Sequence, residues 1–288
     1  MARTWFITGC PSAFGKTISQ AAHALRDNVV AYSRDAAKLE DLVKLGMFTV
    51  SLDVNAPKQD IEAVVAEAVK KYDTIDILVN NAGYILEGAI EEVRLTEEKS
   101  DEEARAQFDT NVFGQLAVIR TVLPYTRNQK SGVIANIGSI AGWHGGINCG
   151  YYCATKFALA GITEALRAEC EPLGITATVI EPGYFRTDFL SGGHKVFPNN
   201  SIEDYVPVIK PYKDMFSTYD RMQPGHPAKG AQLIAGALTG TGRCSGKGLP
   251  IRLAIGSDAV FVIRGVLEES KNGLEAWKDL AVTTDIAA

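Results

Sequence analysis

The chain has 288 residues, 46% of them hydrophobic and 22% charged, with a formal net charge of −5. Those proportions suit a globular protein with a sizeable core, and the acidic balance argues against nucleic acid or an anionic membrane as a partner. Cys10, Cys149, Cys153, Cys170 and Cys244 are too scattered for a disulfide framework or a zinc pattern. With no signal peptide and no bilayer-length apolar run, a reduced cytoplasmic setting is expected.

Taken in chain order, short runs rich in β-branched or aromatic residues alternate with helix-like segments. The runs are "TWFIT", "NVVAYS", "MFTVSLD", "IDILVNN" and "GVIANIGS". Their continuous apolar character suits strands covered on both faces. Helices are expected over 14–26, 36–45, 57–72 and, as one long element, near 101–128. The third carries a one-sided stripe of Ile61, Val64, Val65, Ala68 and Val69. Ser100 with Asp101, Glu102 and Glu103 reads as an acidic helix start. A helix over 150–171 then leads to the strand "ITATVIEPG". Residues 191–224 break the rhythm and read as a lid over a site, set after a strand end. A helix at 226–240, the strand "LPIRLAIG" and a helical tail over 256–282 complete the chain. Strand–helix repetition with no compositional break predicts one α/β domain, a doubly wound parallel sheet of the Rossmann kind, with a lid at about 188–224.

The stretch "TGCPSAFG" follows the first strand and opens the first helix. Glycines there let the backbone approach a pyrophosphate, and the helix N-terminus offers free N–H groups. The second strand ends at Ser33 and Arg34, where a dinucleotide fold reads the adenosine ribose. A hydroxyl and a guanidinium suit a 2′-phosphate, so NADP(H) is preferred over NAD. Asp35 is placed to cap the next helix. Tyr152 and Lys156 lie four apart on a predicted helix and share a face. An ammonium beside a phenol favours the phenolate, which would make Tyr152 a general acid or base near neutral pH.

With these residues in view, the chain resembles the classical short-chain dehydrogenases/reductases from residue 3 to about 258. The glycine motif falls on Thr8 to Gly15, with Ala13 in place of its middle glycine. Asp53 and Val54 match the pair that touches adenine, and Asn80–Gly83 matches NNAG. Asn111, Ser139, Tyr152 and Lys156 match the catalytic positions, and Pro182, Gly183 and Thr187 match the PG motif.

The resemblance implies a hydride transfer between NADP(H) and a ketone or secondary alcohol. Tyr152 would move the proton, Ser139 would hold the substrate oxygen, Lys156 would bind the ribose, and Asn111 would hold a relay water. Cofactor contacts are expected from Thr8, Gly9, Ser12, Ala13, Phe14, Gly15, Ser33, Arg34, Asp53, Val54, Asn80, Ala82, Gly83, Tyr152, Lys156, Pro182, Gly183 and Thr187.

No metal is required, since His23, His144, His194 and His226 form no metal-spaced set; His144 is a candidate for the pocket wall. Trp143, Ile147, Tyr184, Phe185, Phe189 and Phe197 are candidates for an apolar wall, which favours an apolar or aromatic substrate. The resemblance further implies a homodimer or homotetramer built on the 150–171 helix and its neighbour near 111–128. Two rival readings keep the fold: a nicotinamide-sensing regulator without turnover, and an epimerase, dehydratase or cyclase using bound cofactor.

Overall fold

Alternate residues of the first strand, β1 (Thr4–Ile7), point to opposite faces of a sheet, and both faces are dry. Trp5 and Ile7 enter one core while Phe6 enters another. The computed structural model describes residues 2–11, 13–93, 101–189 and 194–286. Expectations resting on Ser12, on the Ala13 side chain or on the acidic start at Ser100 fall outside the described residues.

From β1 the chain runs through α1 (Ala13–Ala24), β2 (Asn28–Ser33), a 3-10 turn at Ala36–Leu39, α2 (Glu40–Lys44) and β3 (Phe48–Ser51). It continues through α3 (Lys58–Tyr72), β4 (Ile77–Asn80) and β5 (Ile85–Leu86), then α4 (Asp101–Phe108), a π-turn at Asp109–Phe113 and α5 (Gly114–Gln129). Next come β6 (Gly132–Ile137), α6 (Gly150–Cys170), β7 (Ile175–Pro182) and β8 (Lys195–Val196). Last are α7 (Val206–Tyr219), α8 (Pro227–Thr239), β9 (Arg252–Ile255) and α9 (Ser257–Ala281).

Seven strands form one sheet in the order β3-β2-β1-β4-β6-β7-β9, and every pairing is parallel. Helices α1 and α8 cover one face, through Ile18, Ala231, Ile234 and Leu238. Helices α3, α5 and α6 cover the other, through Ile61, Val65, Val118, Val122 and Leu166. This is the predicted doubly wound arrangement. The strand order reverses between β1 and β4, which opens a crevice beyond their C-terminal ends, the usual ligand position in such sheets.

Three local features differ from the sequence reading. The predicted 36–45 helix divides into the 3-10 turn and the short α2, with Asp35 capping the turn through Ala37 N–H at 3.0 Å. The predicted long helix over 101–128 is interrupted at Asp109–Phe113 by a π-turn. Within the irregular 191–224 stretch, α7 forms, and β8 pairs with β5 in a separate two-stranded sheet. Among the described residues, no helix is long and apolar enough to cross a membrane.

Candidate active site

The turn after β1 is held from below. Thr8 Oγ1 accepts the N–H groups of Asn81 and Ala82 at 3.0 and 3.1 Å, and Asn81 Nδ2 donates to the carbonyls of Thr8 and Gly9. Gly9 has φ +68°, and a side chain there would meet Ala82 at 2.9 Å. A Cβ on Gly15 would lie 2.2 Å from the Gly9 carbonyl oxygen. The loop is therefore tight because two glycines allow backbone to sit on backbone, and Thr8, Gly9, Pro11 and Phe14 line a large open cavity.

That cavity measures about 1070 Å³, at or above the upper range for a site holding one small ligand. Its walls bring together Thr8, Gly9, Phe14, Ser33, Arg34, Asp53, Val54, Ala82, Gly83, Ser139, Tyr152, Lys156, Pro182, Gly183 and Thr187. Three expected residues stand behind the wall. Asn80 is fully buried and donates to Asn136 Oδ1 at 2.9 Å, tying β4 to β6; its neighbour Asn81 lines the cavity instead. Gly15 packs beneath the loop. Asn111, turned inward by the π-turn, gives both amide N–H groups away: to Tyr84 O at 2.9 Å and to Thr155 Oγ1 at 3.2 Å. Its Oδ1 accepts from Tyr84 N at 3.0 Å. The expected water-holding role thus has no free side-chain donor.

At one end of the cavity, Ser139 caps a 3-10 turn after β6, its hydroxyl accepting Ala141 N–H at 3.1 Å, and lines the wall together with Tyr152. Tyr152 and Lys156 project from the first turns of α6. The Lys156 ammonium donates to Ile137 O at 2.7 Å and stands 5.5 Å from the Tyr152 ring centre. The expectation of an acidified phenol is corrected here. Burial pushes Tyr152 above the ordinary tyrosine value, and the neighbouring Ser139 hydroxyl offsets that only in part. Burial also lowers Lys156 to about 8. Desolvation opposes the charged form of each.

At the other end, Arg34 and Lys38 are exposed on the cavity rim. Neither makes an ion pair among the described residues. Lys38 was missed in the sequence; it lies on the 3-10 turn that Asp35 caps. Ser33 Oγ accepts from Asp35 N at 3.1 Å.

Of the expected apolar wall, Ile147, Tyr184, Phe185 and Phe189 line the cavity, as does His144. Trp143 does not: the Arg252 guanidinium covers its ring at 3.8 Å, and Arg252 is in turn paired with buried Glu181. Phe197 is 53% exposed, with Lys213 over its ring. Ile85 also lines the cavity, and α7, within the stretch expected to form a lid, adds Tyr212, Met215 and Phe216. No cluster of metal-binding side chains occurs among the described residues.

A family model described as short chain dehydrogenase matches residues 3–194. The chain belongs to the short-chain dehydrogenase family. It is 32% identical to Oxidoreductase BOA17 of Botryotinia fuckeliana, over 99% of this chain and all of that one. A short-chain dehydrogenase from Streptomyces avermitilis, known from its crystal structure, shares 34% identity and superposes with a TM-score of 0.87, covering 99% and 100% of the two chains. An NADP-dependent 3-hydroxy acid dehydrogenase of Schizosaccharomyces pombe is 33% identical over 65% of this chain and 73% of its own.

The family's nicotinamide cofactor fits the residues present. The Gly9 and Gly15 positions leave no room for a Cβ, and Gly9 lines the cavity, so the turn presents bare backbone there to a phosphate. A Cβ on Gly183 would strike the Asp258 carboxylate at 2.2 Å, and that carboxylate accepts Tyr184 N–H at 2.6 Å. This short-chain dehydrogenase therefore anchors both the first and the last of its cavity-edge loops through glycine.

Proposed function

We propose that this oxidoreductase uses NADP(H) to interconvert an apolar ketone and its secondary alcohol, working as a carbonyl reductase. The observation that carries the reading is the convergence of Ser139, Tyr152 and Lys156 on one end of a continuous cavity, with the Lys156 ammonium 5.5 Å from the Tyr152 ring centre and Arg34 and Lys38 at the opposite end. When bound, the cofactor supplies or accepts the hydride at its nicotinamide ring. Thr8, Gly9 and Phe14 would hold the pyrophosphate side, Asp53 and Val54 the adenine, and Pro182, Gly183 and Thr187 the nicotinamide end. Tyr152 holds at its hydroxyl the proton that the substrate oxygen takes up on reduction, and Ser139 hydrogen-bonds the same oxygen as charge develops there. Burial keeps the phenol protonated, which is the state reduction requires.

The NADP(H) preference rests on two free cations with no acid in place of Ser33, and the name of the fission-yeast relative is in keeping with it. Each charge-assisted hydrogen bond to a phosphate contributes about 1.5 to 3 kcal/mol. The double variant Arg34→Ser with Lys38→Ser is expected to raise KM for NADPH by about tenfold or more, leaving NADH kinetics near their starting values. Equal losses for both cofactors would overturn the preference. Gly15→Ala is expected to weaken NADPH binding about tenfold by fluorescence titration, through its clash with Gly9; an unchanged affinity would remove the loop from the binding site.

The substrate side is apolar where α7 contributes Met215 and Phe216, which favours a neutral hydrophobic substrate and gives residues 194–219 the role of a lid. The partner expected for the exposed faces of the π-turn, α5 and α6, where Phe113 and Phe157 are exposed, is a second copy. The decisive assay follows NADPH absorbance across a ketone panel. Consumption that depends on the ketone supports the reading; tight binding without consumption across the panel favours a sensor or a non-redox enzyme.

A further inference from the structure

We propose that Cys149 and Cys153 form a peroxide-sensitive dithiol in the wall of the reaction cavity, and that its oxidation to a disulfide stops turnover. The bridge itself is independent of the function proposed above; the loss of turnover rests on it. Both residues line the cavity, and their sulfurs stand 3.7 Å apart. Cys149 is the N-cap of α6 and Cys153 lies in its first turn, four residues on, so the two share one helix face. Tyr152 lies between them in the chain and packs in the same buried cluster.

The two thiols are not equivalent. Cys153 Sγ accepts Gly146 N–H at 3.2 Å. A hydrogen bond from Cys149, aided by that N–H, holds Cys153 below the ordinary thiol value against the effect of burial. The same hydrogen bond, together with burial, raises Cys149. One sulfur is thus poised as nucleophile while the other carries the proton. Cys10 differs: burial pushes it up to about 12, and it does not line the cavity.

The chemistry balances with hydrogen peroxide as oxidant. The Cys153 thiolate attacks one peroxide oxygen, the O–O bond breaks, and hydroxide leaves to give a sulfenic acid. Cys149 sulfur then attacks the sulfenic sulfur; the S–S bond forms, the S–O bond breaks, and water leaves with the Cys149 proton. A disulfide is about 2.05 Å long, so the sulfurs must close by roughly 1.6 Å. Cys149 has φ −148° and ψ 30°, outside the helix, whereas Cys153 is helical. Closure draws on the first turn of α6, which carries Tyr152, and a displacement of about 1 Å at a catalytic group costs about 10²-fold in rate.

Trypsin cuts after Lys130 and Lys156, releasing both cysteines and no other in residues 131–156. Peroxide treatment of the full chain is expected to remove two hydrogens, about 2 Da, from that peptide. Turnover should fall about 10²-fold in step with the mass change, and dithiothreitol should restore both. In Cys149→Ser the peptide should gain an oxygen instead, and Cys153→Ser should keep its own untreated rate through the same exposure. The proposal is overturned if the wild-type peptide keeps its hydrogens, if bridging leaves turnover unchanged, or if Cys153→Ser loses activity as fast as wild type. Should no ketone be turned over at all, the peptide mass still decides the bridge, and only the proposed reductase activity falls.

Discussion

Tyr152→Phe is expected to lower NADPH-dependent ketone turnover by about 10³-fold, within the range that a positioned general acid contributes. The phenylalanine ring fills the same buried site, so only the hydroxyl is lost. NADPH affinity, read by fluorescence, should stay within a few-fold of wild type, because the glycine loop and the Arg34–Lys38 rim lie at the far end of the cavity. A variant retaining a tenth of wild-type turnover would exclude Tyr152 as the proton donor. The pH profile adds a second reading. Burial keeps Tyr152 protonated well into the alkaline range, whereas Lys156 loses its proton near pH 8. Below that, the ammonium stands 5.5 Å from the ring where negative charge develops as the proton leaves; above it, the charge is gone. Reduction should therefore plateau below about pH 8 and fall above it, and a profile rising through pH 9 would contradict the assignment of charge to Lys156.

Much of this was legible before any coordinates, for identifiable reasons. The sheet strands announce themselves because both faces are covered, so "TWFI" and "ILVN" are apolar without interruption. The meeting of Ser139, Tyr152 and Lys156 in one cavity wall was legible because Tyr152 and Lys156 sit at helical spacing with Ser139 at the end of the preceding strand. What escaped depends on tertiary context. Helix α7 is seeded with Pro207 near its start and Pro211 inside, residues that argue against a helix in sequence. Its aromatic side chains nevertheless pack over the cavity. The two-residue strands β5 and β8 exist only through each other. No pattern marks the π-turn that sends Asn111 inward, so its commitment to Tyr84 and Thr155 could not be read. Trp143 and Phe197 looked like pocket walls by nearness to Ser139 and the lid, but sequence nearness does not fix direction. The Arg252–Glu181 pair claims one of them, and the other is half exposed beside Lys213.

The misjudged acidity of Tyr152 has the same origin, since spacing reports which groups meet but not how dry the meeting place is. Lys156 shows what that dryness costs. Burial lowers it from 10.5 to about 8, so at neutral pH the folded protein holds a proton less tightly than the unfolded chain does. A lowered amine opposes folding below its folded value, and the penalty fades as pH rises from about 8 to 10.5, where the unfolded amine also deprotonates. At 1.36 kcal/mol per unit the gross penalty is about 3 kcal/mol. Replacing the amine with an apolar side chain of similar length removes it but leaves Ile137 O without this donor, a loss of about 1 to 2 kcal/mol. Lys156→Met is accordingly expected to be more stable than wild type at pH 7 by about 1 to 2 kcal/mol, a rise in Tm of a few degrees. Its turnover should fall by about 10²-fold or more. The stability advantage should be full below pH 8 and shrink through pH 10, as calorimetry at several pH values would show. A Met variant less stable at pH 7, or an advantage that grows with pH, would mean that the Ile137 bond outweighs desolvation. If the advantage holds, the site keeps at position 156 a cation that folding alone would discard, and its purpose lies in the chemistry beside it.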